Sequence, residues 1–470
     1  MPETLETDYL VIGAGAVGMS FVDTLLTESD ADIVMVDRRH APGGHWVDAY
    51  PFVRLHQPSA FYGVSSTPLG ADRIDETGSN AGYFELASGT EVAAYFDRVM
   101  RERFLPSGRV RYFPMHDARE TEARSADIAP LLGGDGARVT ARRRIVDSTF
   151  FDTAIPATHD RKFHVADGVA CVPPNDLPRR APNHSDFVIL GAGKTAMDVG
   201  VWLIENGADP DKITWVRPRD SWLINRETTQ PGPRFFHQSI GGMARQMEAI
   251  KSSTSVDDLF DRLEAAELML RIDPAIRPEM FHFATISAGE VALLRRIEHV
   301  VRGARVARVE PGKMTLSNDE TIDIAANALY VDCTANAVAK RPPQPVFEDG
   351  RITLQMTRLP NPTFSAALAA YVETHYEGDD EKNRLCTPVA LPDAPEDWPA
   401  ATLGNMTNQL AWSQDKALRA WMTDCRLDGF GRTARDADRS DPAVADVLAR
   451  IKESAMPAGM NLQKLIAAAT

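Results

Sequence analysis

The stretch from Tyr9 to Asp37 restricts the fold more than any other. DYLVIGAGAVGMSFVDTLL reads as a short buried strand, a tight glycine turn and a helix, and DIVMVD follows as a second buried strand. Gly13, Gly15 and Gly18 keep GxGxxG spacing. The first glycine permits the turn, the second lets backbone approach a pyrophosphate, and the third lets the helix pack closely on the strand. Asp37 closes the second strand 24 residues after Gly13, where a carboxylate can accept hydrogen bonds from both hydroxyls of an adenosine ribose. Glycine turns alone recur for structural reasons. Strand, loop, helix, strand and terminal acid in this order point to dinucleotide binding.

A second such unit begins at Phe187. FVILGAGKTAMDVGVWLIENG gives an apolar strand, a GxGxxA turn at Gly191, Gly193 and Ala196, and a helix ending near Gly207; KITWVRPRD supplies the next strand. No acid closes it. The strand ends instead in Arg217, followed by Arg219, and a guanidinium there can pair with the 2′-phosphate of NADP; a solvated edge is the plainer reading of the same pair. Two dinucleotide loops about 180 residues apart call for two dinucleotides, and the chemically sensible pair is FAD with NADPH. A small-molecule oxidoreductase agrees with the charge balance. With 51 Lys and Arg against 66 Asp and Glu, the net charge of −15 argues against a nucleic-acid or anionic-membrane surface.

After Asp37 the chain reads DRRHAPGGHWVDAYPFVRLHQPSAFYG. Here it resembles the two-dinucleotide-binding flavoproteins, most closely the flavin-containing and Baeyer–Villiger monooxygenases, in which that acid is followed by a GGxW element and a Tyr-Pro segment. The matching residues are Gly43, Gly44 and Trp46, then Tyr50, Pro51 and Arg54. The resemblance implies that Gly43, Gly44 and Trp46 line the flavin and that Arg54 and His56 approach its ring system as candidate catalytic residues. It further implies that one oxygen atom from O2 is inserted into a small organic substrate through a C4a-(hydro)peroxyflavin. The match is good over the first 60 or so residues and over residues 186–220, and thin elsewhere. Three departures matter. His56 stands where the family often has Asp or Asn, the FxGxxxHxxxW-type fingerprint is absent from residues 150–178, and the Ala-Thr-Gly crossing signature is altered to VDSTF (146–150) and VDCTA (331–335). Two alternatives therefore stay open: an NAD(P)H-dependent flavin reductase or dehydrogenase without oxygenation, and a non-catalytic nucleotide-binding redox sensor. A disulfide reductase is excluded, because the four cysteines form no CxxxxC pair.

The expected fold class is α/β, with two Rossmann-like, three-layer β/β/α dinucleotide-binding domains, the FAD domain discontinuous, and a helical insertion. The expected division is 1–180 for the first part of the FAD domain, 181–303 for the NAD(P)H domain with its insertion, and 304–470 for the return to the FAD domain and a C-terminal segment. Scattered histidines predict no metal site, and the acidic, glycine-punctuated start predicts a cytoplasmic protein with no membrane span.

Overall fold

The computed structural model describes residues 3–335 and 338–469. Two parallel sheets, each covered by helices on one face and by antiparallel strands on the other, carry the two glycine loops. In the first sheet, strands Arg351–Thr353, Ala137–Asp147, Glu3–Ile12, Ile33–Asp37 and Val110–Pro114 lie side by side and parallel. The antiparallel strands His116–Glu122 and Ser125–Pro130 fold over it, continuing into the start of Ala137–Asp147. Side-chain alternation builds both cores. Tyr9, Val11, Ile33 and Met35 point to the helices Ala16–Glu28, Gly89–Val99 and Pro362–His375, while Leu10, Val34 and Val36 meet Ala126, Ile128 and Val139 of the antiparallel layer. Burying one such side chain stabilises by about 1.5–3 kcal/mol, and a strand buried on both faces reads as the unbroken apolar run seen in the sequence.

The second sheet repeats this plan with His299–Val301, Ile213–Val216, Phe187–Leu190, Leu329–Asp332 and Cys171–Val172. Phe187 and Ile189 face the Lys194–Glu205 helix, whereas Val188 and Leu190 face the strands Val306–Glu310 and Lys313–Leu316.

The second sheet corrects the domain boundaries expected from sequence. Residues 304–333 do not re-enter the first sheet: Leu329–Asp332 pairs with Phe187–Leu190, and the strands before it form the antiparallel layer of the second unit. The chain returns to the first sheet only at Arg351–Thr353, beside Ala137–Asp147. The second unit also starts before residue 181, since His164–Val165 and Cys171–Val172 belong to it. Short strands joined by polar turns look alike in either unit, and only pairing partners assign them. The insertion holds helices Phe236–Ser252 and Val256–Ala265, together with a three-stranded sheet of Ser221–Asn225, Met269–Leu270 and Met280–Ile286. The C-terminal helices serve both units. Pro362–His375 contributes Phe364 and Leu368 to the first core, whereas Trp398, Leu462 and Leu465 pack with Phe260 and Ile250 of the insertion.

Candidate functional site

The glycine loops meet their helices as the spacing requires. Gly13 has φ +99°, and a Cβ on Gly18 would stand 2.1 Å from the Gly13 carbonyl, so the helix sits directly on the turn. Gly15 and Gly193 are the N-cap residues of Ala16–Glu28 and Lys194–Glu205, and neither helix start receives a side-chain cap. By contrast, Ser88, Ser255 and Ser287 cap their helices. Uncapped amides at a glycine turn form an anion-binding end. Gly43 and Gly44 take φ +122° and +62° and lie against the first loop, Gly43 N–H donating to the Ala14 carbonyl at 2.8 Å. A Cβ on Gly44 would come within 2.9 Å of the Gly15 Cα. Two side-chain-free turns thus line one cradle. Asp37 is buried at its edge, Oδ2 accepting from Ala14 N–H at 2.6 Å and Oδ1 from Arg39 N–H at 2.7 Å. Each carboxylate oxygen keeps a lone pair beyond these bonds.

Both altered crossing segments turn out to be one device used twice. After the first sheet, Asp147 Oδ1 accepts from Thr149 N–H (2.8 Å) and Oγ1 (2.7 Å); after the second, Asp332 Oδ1 accepts from Thr334 N–H (3.0 Å) and Oγ1 (2.7 Å). The residue between them closes on the first glycine of each loop. Ser148 Oγ donates to the Ile12 and Gly13 carbonyls, and a Cβ on Gly191 would lie 2.6 Å from the Cys333 carbonyl oxygen.

In the second loop Gly191 has φ +127°, Ala196 is fully buried, and Gly193 is exposed with open space where a Cβ would stand. Arg217 and Arg219 part company. Arg219 is exposed, as a solvated edge requires. Arg217 is 2% exposed, lies over the Trp215 ring with Cζ 4.5 Å from its centroid, and pairs with Asp220 at 3.0 Å. Trp215 Nε1 donates to the Gly191 carbonyl at 2.8 Å, which places this stack beside the glycine loop. The Arg217 Nε and Nη1 donors have no partner among the described residues, and burial lowers the guanidinium to about 10.

The structure separates Arg54 from His56. Arg54 is exposed and donates to the Leu86 carbonyl at 3.1 Å. Trp46 donates from Nε1 to the Tyr62 hydroxyl at 2.8 Å, its ring edge-on to Tyr62 and tilted over His45. His56 instead joins a buried set of charges where the two units meet. Lys194, the first residue of its helix, pairs with Asp198 and, at 3.1 Å, with Glu290 Oε1. Glu290 Oε2 accepts from Arg226 Nη1 at 2.6 Å and from the Ser287 N–H at 2.8 Å. Arg226 Nε donates to the His56 carbonyl (3.0 Å) and Nη1 to Asn80 Oδ1 (3.1 Å), while the Tyr50 hydroxyl donates to Asp198 Oδ2 (2.7 Å). Burial opposes the charge on Glu290, but Lys194 and Arg226 outweigh it and hold the carboxyl well below its usual range. Burial, then Lys194 and Arg226, lower the His56 imidazole to about 4, so the ring is neutral. It makes no hydrogen bond to a described residue. Phe52 stacks on Trp202 beside the cluster, 5.1 Å between centroids.

Sequence reasoning missed Lys194, Asp198, Arg226 and Glu290. The Ser287-x-x-Glu290 spacing is that of a capping box and Lys194 follows the second glycine turn, but the long-range pairing that makes them a site leaves no local signal. Two surface clefts, of about 320 and 380 Å³, border Glu120–Arg124 and Arg277–Glu279 and lie away from this junction. Among the described residues no group of His, Cys, Asp and Glu could hold a metal ion, and no helix is long and apolar enough to cross a membrane.

Comparison with solved structures places the fold. An oxidized steroid monooxygenase bound to NADP superposes with a TM-score of 0.50 at 13% identity, over 78% of this chain and 85% of that one. Tmm from Pelagibacter sp. strain HTCC7211 does so at 0.50 and 9%, over 89% of both chains, and OTEMO in complex with FAD and NADP at 0.50 and 15%, over 79% and 84%. The fold is therefore that of the two-domain flavoprotein monooxygenases. No family model matches the sequence. The uncharacterized proteins Rv2000 of Mycobacterium tuberculosis and Mb2023 of Mycobacterium bovis are each 46% identical over 468 residues, 100% of this chain and 86% of theirs. The chain belongs to the family of these mycobacterial proteins.

Proposed function

We propose that this protein is an FAD- and NADPH-dependent oxidoreductase, a flavoprotein monooxygenase that adds one oxygen atom from O2 to a small organic substrate. The observation that carries the reading is the pair of uncapped glycine loops, in a fold whose solved examples include complexes with FAD and NADP. The residues fit the two groups. The Gly13–Gly18 turn and the Gly43–Gly44 turn leave backbone-lined room for the flavin pyrophosphate, Asp37 has lone pairs for the ribose, and Trp46 lines the path onward. The Gly191–Ala196 loop takes the second pyrophosphate, and exposed Arg219 takes the 2′-phosphate, with the buried Arg217 charge stacked on Trp215 beside the loop adding to the positive field. Bound together, the two groups supply hydride transfer and oxygen activation. The chain's own part is to position them and keep water out. Tyr50 ties the flavin-side segment to Asp198 of the second helix, the Phe52–Trp202 stack covers the joint, and neutral His56 offers a hydrogen-bonding ring without bringing charge.

A second reading, a reductase that passes electrons on without oxygenation, is favoured by one feature: His56 replaces the acid or amide of the resembling family. Mixing the reduced, flavin-loaded protein with O2 in a stopped-flow instrument tests the choice. A distinct spectrum between the reduced and reoxidised forms supports oxygenation; single-step reoxidation overturns it.

A further inference from the structure

The buried charges at the junction converge on one carboxylate that the reading above leaves without a role. Glu290 holds Lys194 on one oxygen and Arg226 with the Ser287 amide on the other, so three elements of the second unit are joined at a single group. Two of its partners reach into the first unit or its neighbours: Arg226 grips the His56 carbonyl and Asn80, and Lys194 shares Asp198 with Tyr50. The approach is close enough to exclude side chains, since a Cβ on Gly289 would stand 2.8 Å from the Ser79 carbonyl oxygen, which also accepts from Ser287 Oγ at 2.6 Å. Simple adhesion does not require such a set, because packed apolar residues join buried surfaces at least as well as ion pairs do. Within this set the imidazole of His56 alone has no hydrogen bond to a described residue. The set thus grips the His56 backbone and leaves its ring uncommitted.

We propose that Glu290 is a positioning residue for His56: by gathering Lys194 from the second glycine helix and Arg226 from the turn that grips the His56 backbone, it fixes where the imidazole stands relative to the second glycine loop. The inference rests on the reading that the two dinucleotides meet at this junction. The charges that act on the ring are those of Lys194 and Asp198 from one helix, Glu290 from another and Arg226 from the intervening turn. Two cations and two anions balance, so the ring feels burial most, and each charge removed shifts its proton affinity in a known direction.

The test uses the full chain loaded with FAD. Glu290→Gln keeps an acceptor for the Ser287 amide and Arg226 but removes the charge that holds Lys194. It is expected to keep its flavin while the rate of flavin reduction by NADPH falls about tenfold, through displacement of His56. Independently of turnover, Lys194→Met removes a cation beside the ring. The 13C NMR titration of His56, assigned by its absence in His56→Asn, is expected to move up by about one pH unit. The proposal is overturned if Glu290→Gln is reduced at the wild-type rate, if it loses flavin and rate in equal proportion, or if Lys194→Met leaves the His56 titration in place. Wild-type flavin that neither nicotinamide reduces would instead refute the oxidoreductase reading, and the His56 titration recorded in Glu290→Gln, expected to move down on loss of the carboxylate charge and unmoved if Glu290 has no hold on the ring's surroundings, would still decide the role of Glu290.

Discussion

Replacing Gly15 by alanine separates folding from cofactor binding, because this glycine alone among the three of the first loop has ordinary backbone geometry and room for a methyl group. Its φ of −76° and ψ of −179° are open to any residue, and the atom nearest to an added methyl would be the Gly44 Cα at 3.4 Å, an ordinary contact. Loss of unfolded-chain freedom stabilises by about 0.4–1 kcal/mol, and alanine is a poorer N-cap than glycine by a similar amount. Gly15→Ala should therefore melt close to wild type. The methyl would, however, stand in the cradle between the two glycine turns and hold a phosphate off the helix amides. A charge-assisted hydrogen bond contributes about 1.5–3 kcal/mol, so losing one weakens flavin roughly 10- to 150-fold. Gly18→Ala is the contrast: its methyl would lie 2.1 Å from the Gly13 carbonyl oxygen, an overlap that destabilises by about 3 kcal/mol. The assay is flavin content and fluorescence titration with FAD, alongside thermal melting. Full flavin affinity in Gly15→Ala would refute the placement of the dinucleotide.

Arg219→Ala should weaken NADPH by about tenfold and leave NADH unchanged, since one exposed charge–phosphate contact contributes about 1.4 kcal/mol; equal effects on both in binding titrations would remove that contact. Arg217→Ala should also lower the melting temperature, because Asp220 loses one of its two cations in a buried setting. Tyr50→Phe leaves a half-buried Asp198 oxygen short of a donor and should cost about 1 kcal/mol in denaturant unfolding. His45 gives a pH prediction. Burial, with Arg39 adding to it, lowers its imidazole to about 4. The unfolded chain takes up that proton near pH 6.5, so stability is full above about 6.5 and declines as pH falls toward 4, by at most about 1.4 kcal/mol per unit. Melting curves of His45→Gln across this range should show a shallower decline than wild type.

The local parts of this molecule were legible in the sequence because each is specified by its own residues. The turn at Gly13, the apolar run of Phe187–Leu190 and the Ser287–Glu290 cap follow from φ, strand burial and helix-end chemistry. What escaped was non-local. Glu3–Ile12 is longer than its apolar core because its first residues pair with Ala137–Ala141, a contact no periodicity shows. Leu329–Asp332 could have closed either sheet, and its partner decided. Arg217 reads as an exposed strand end, yet stacking on Trp215 and pairing with Asp220 turn it inward. The Lys194–Glu290–Arg226 set draws on residues up to 96 positions apart, so it exists only once the fold does.

If the two glycine loops hold two dinucleotides that exchange electrons, NADPH must reduce the bound flavin. Anaerobic mixing of the FAD-loaded protein with NADPH, followed by flavin absorbance, tests this most directly. The expected result is bleaching that saturates with NADPH and is slower with NADH at equal concentration. Bound flavin that stays oxidised with both nicotinamides, or a protein that takes up no FAD, would contradict it.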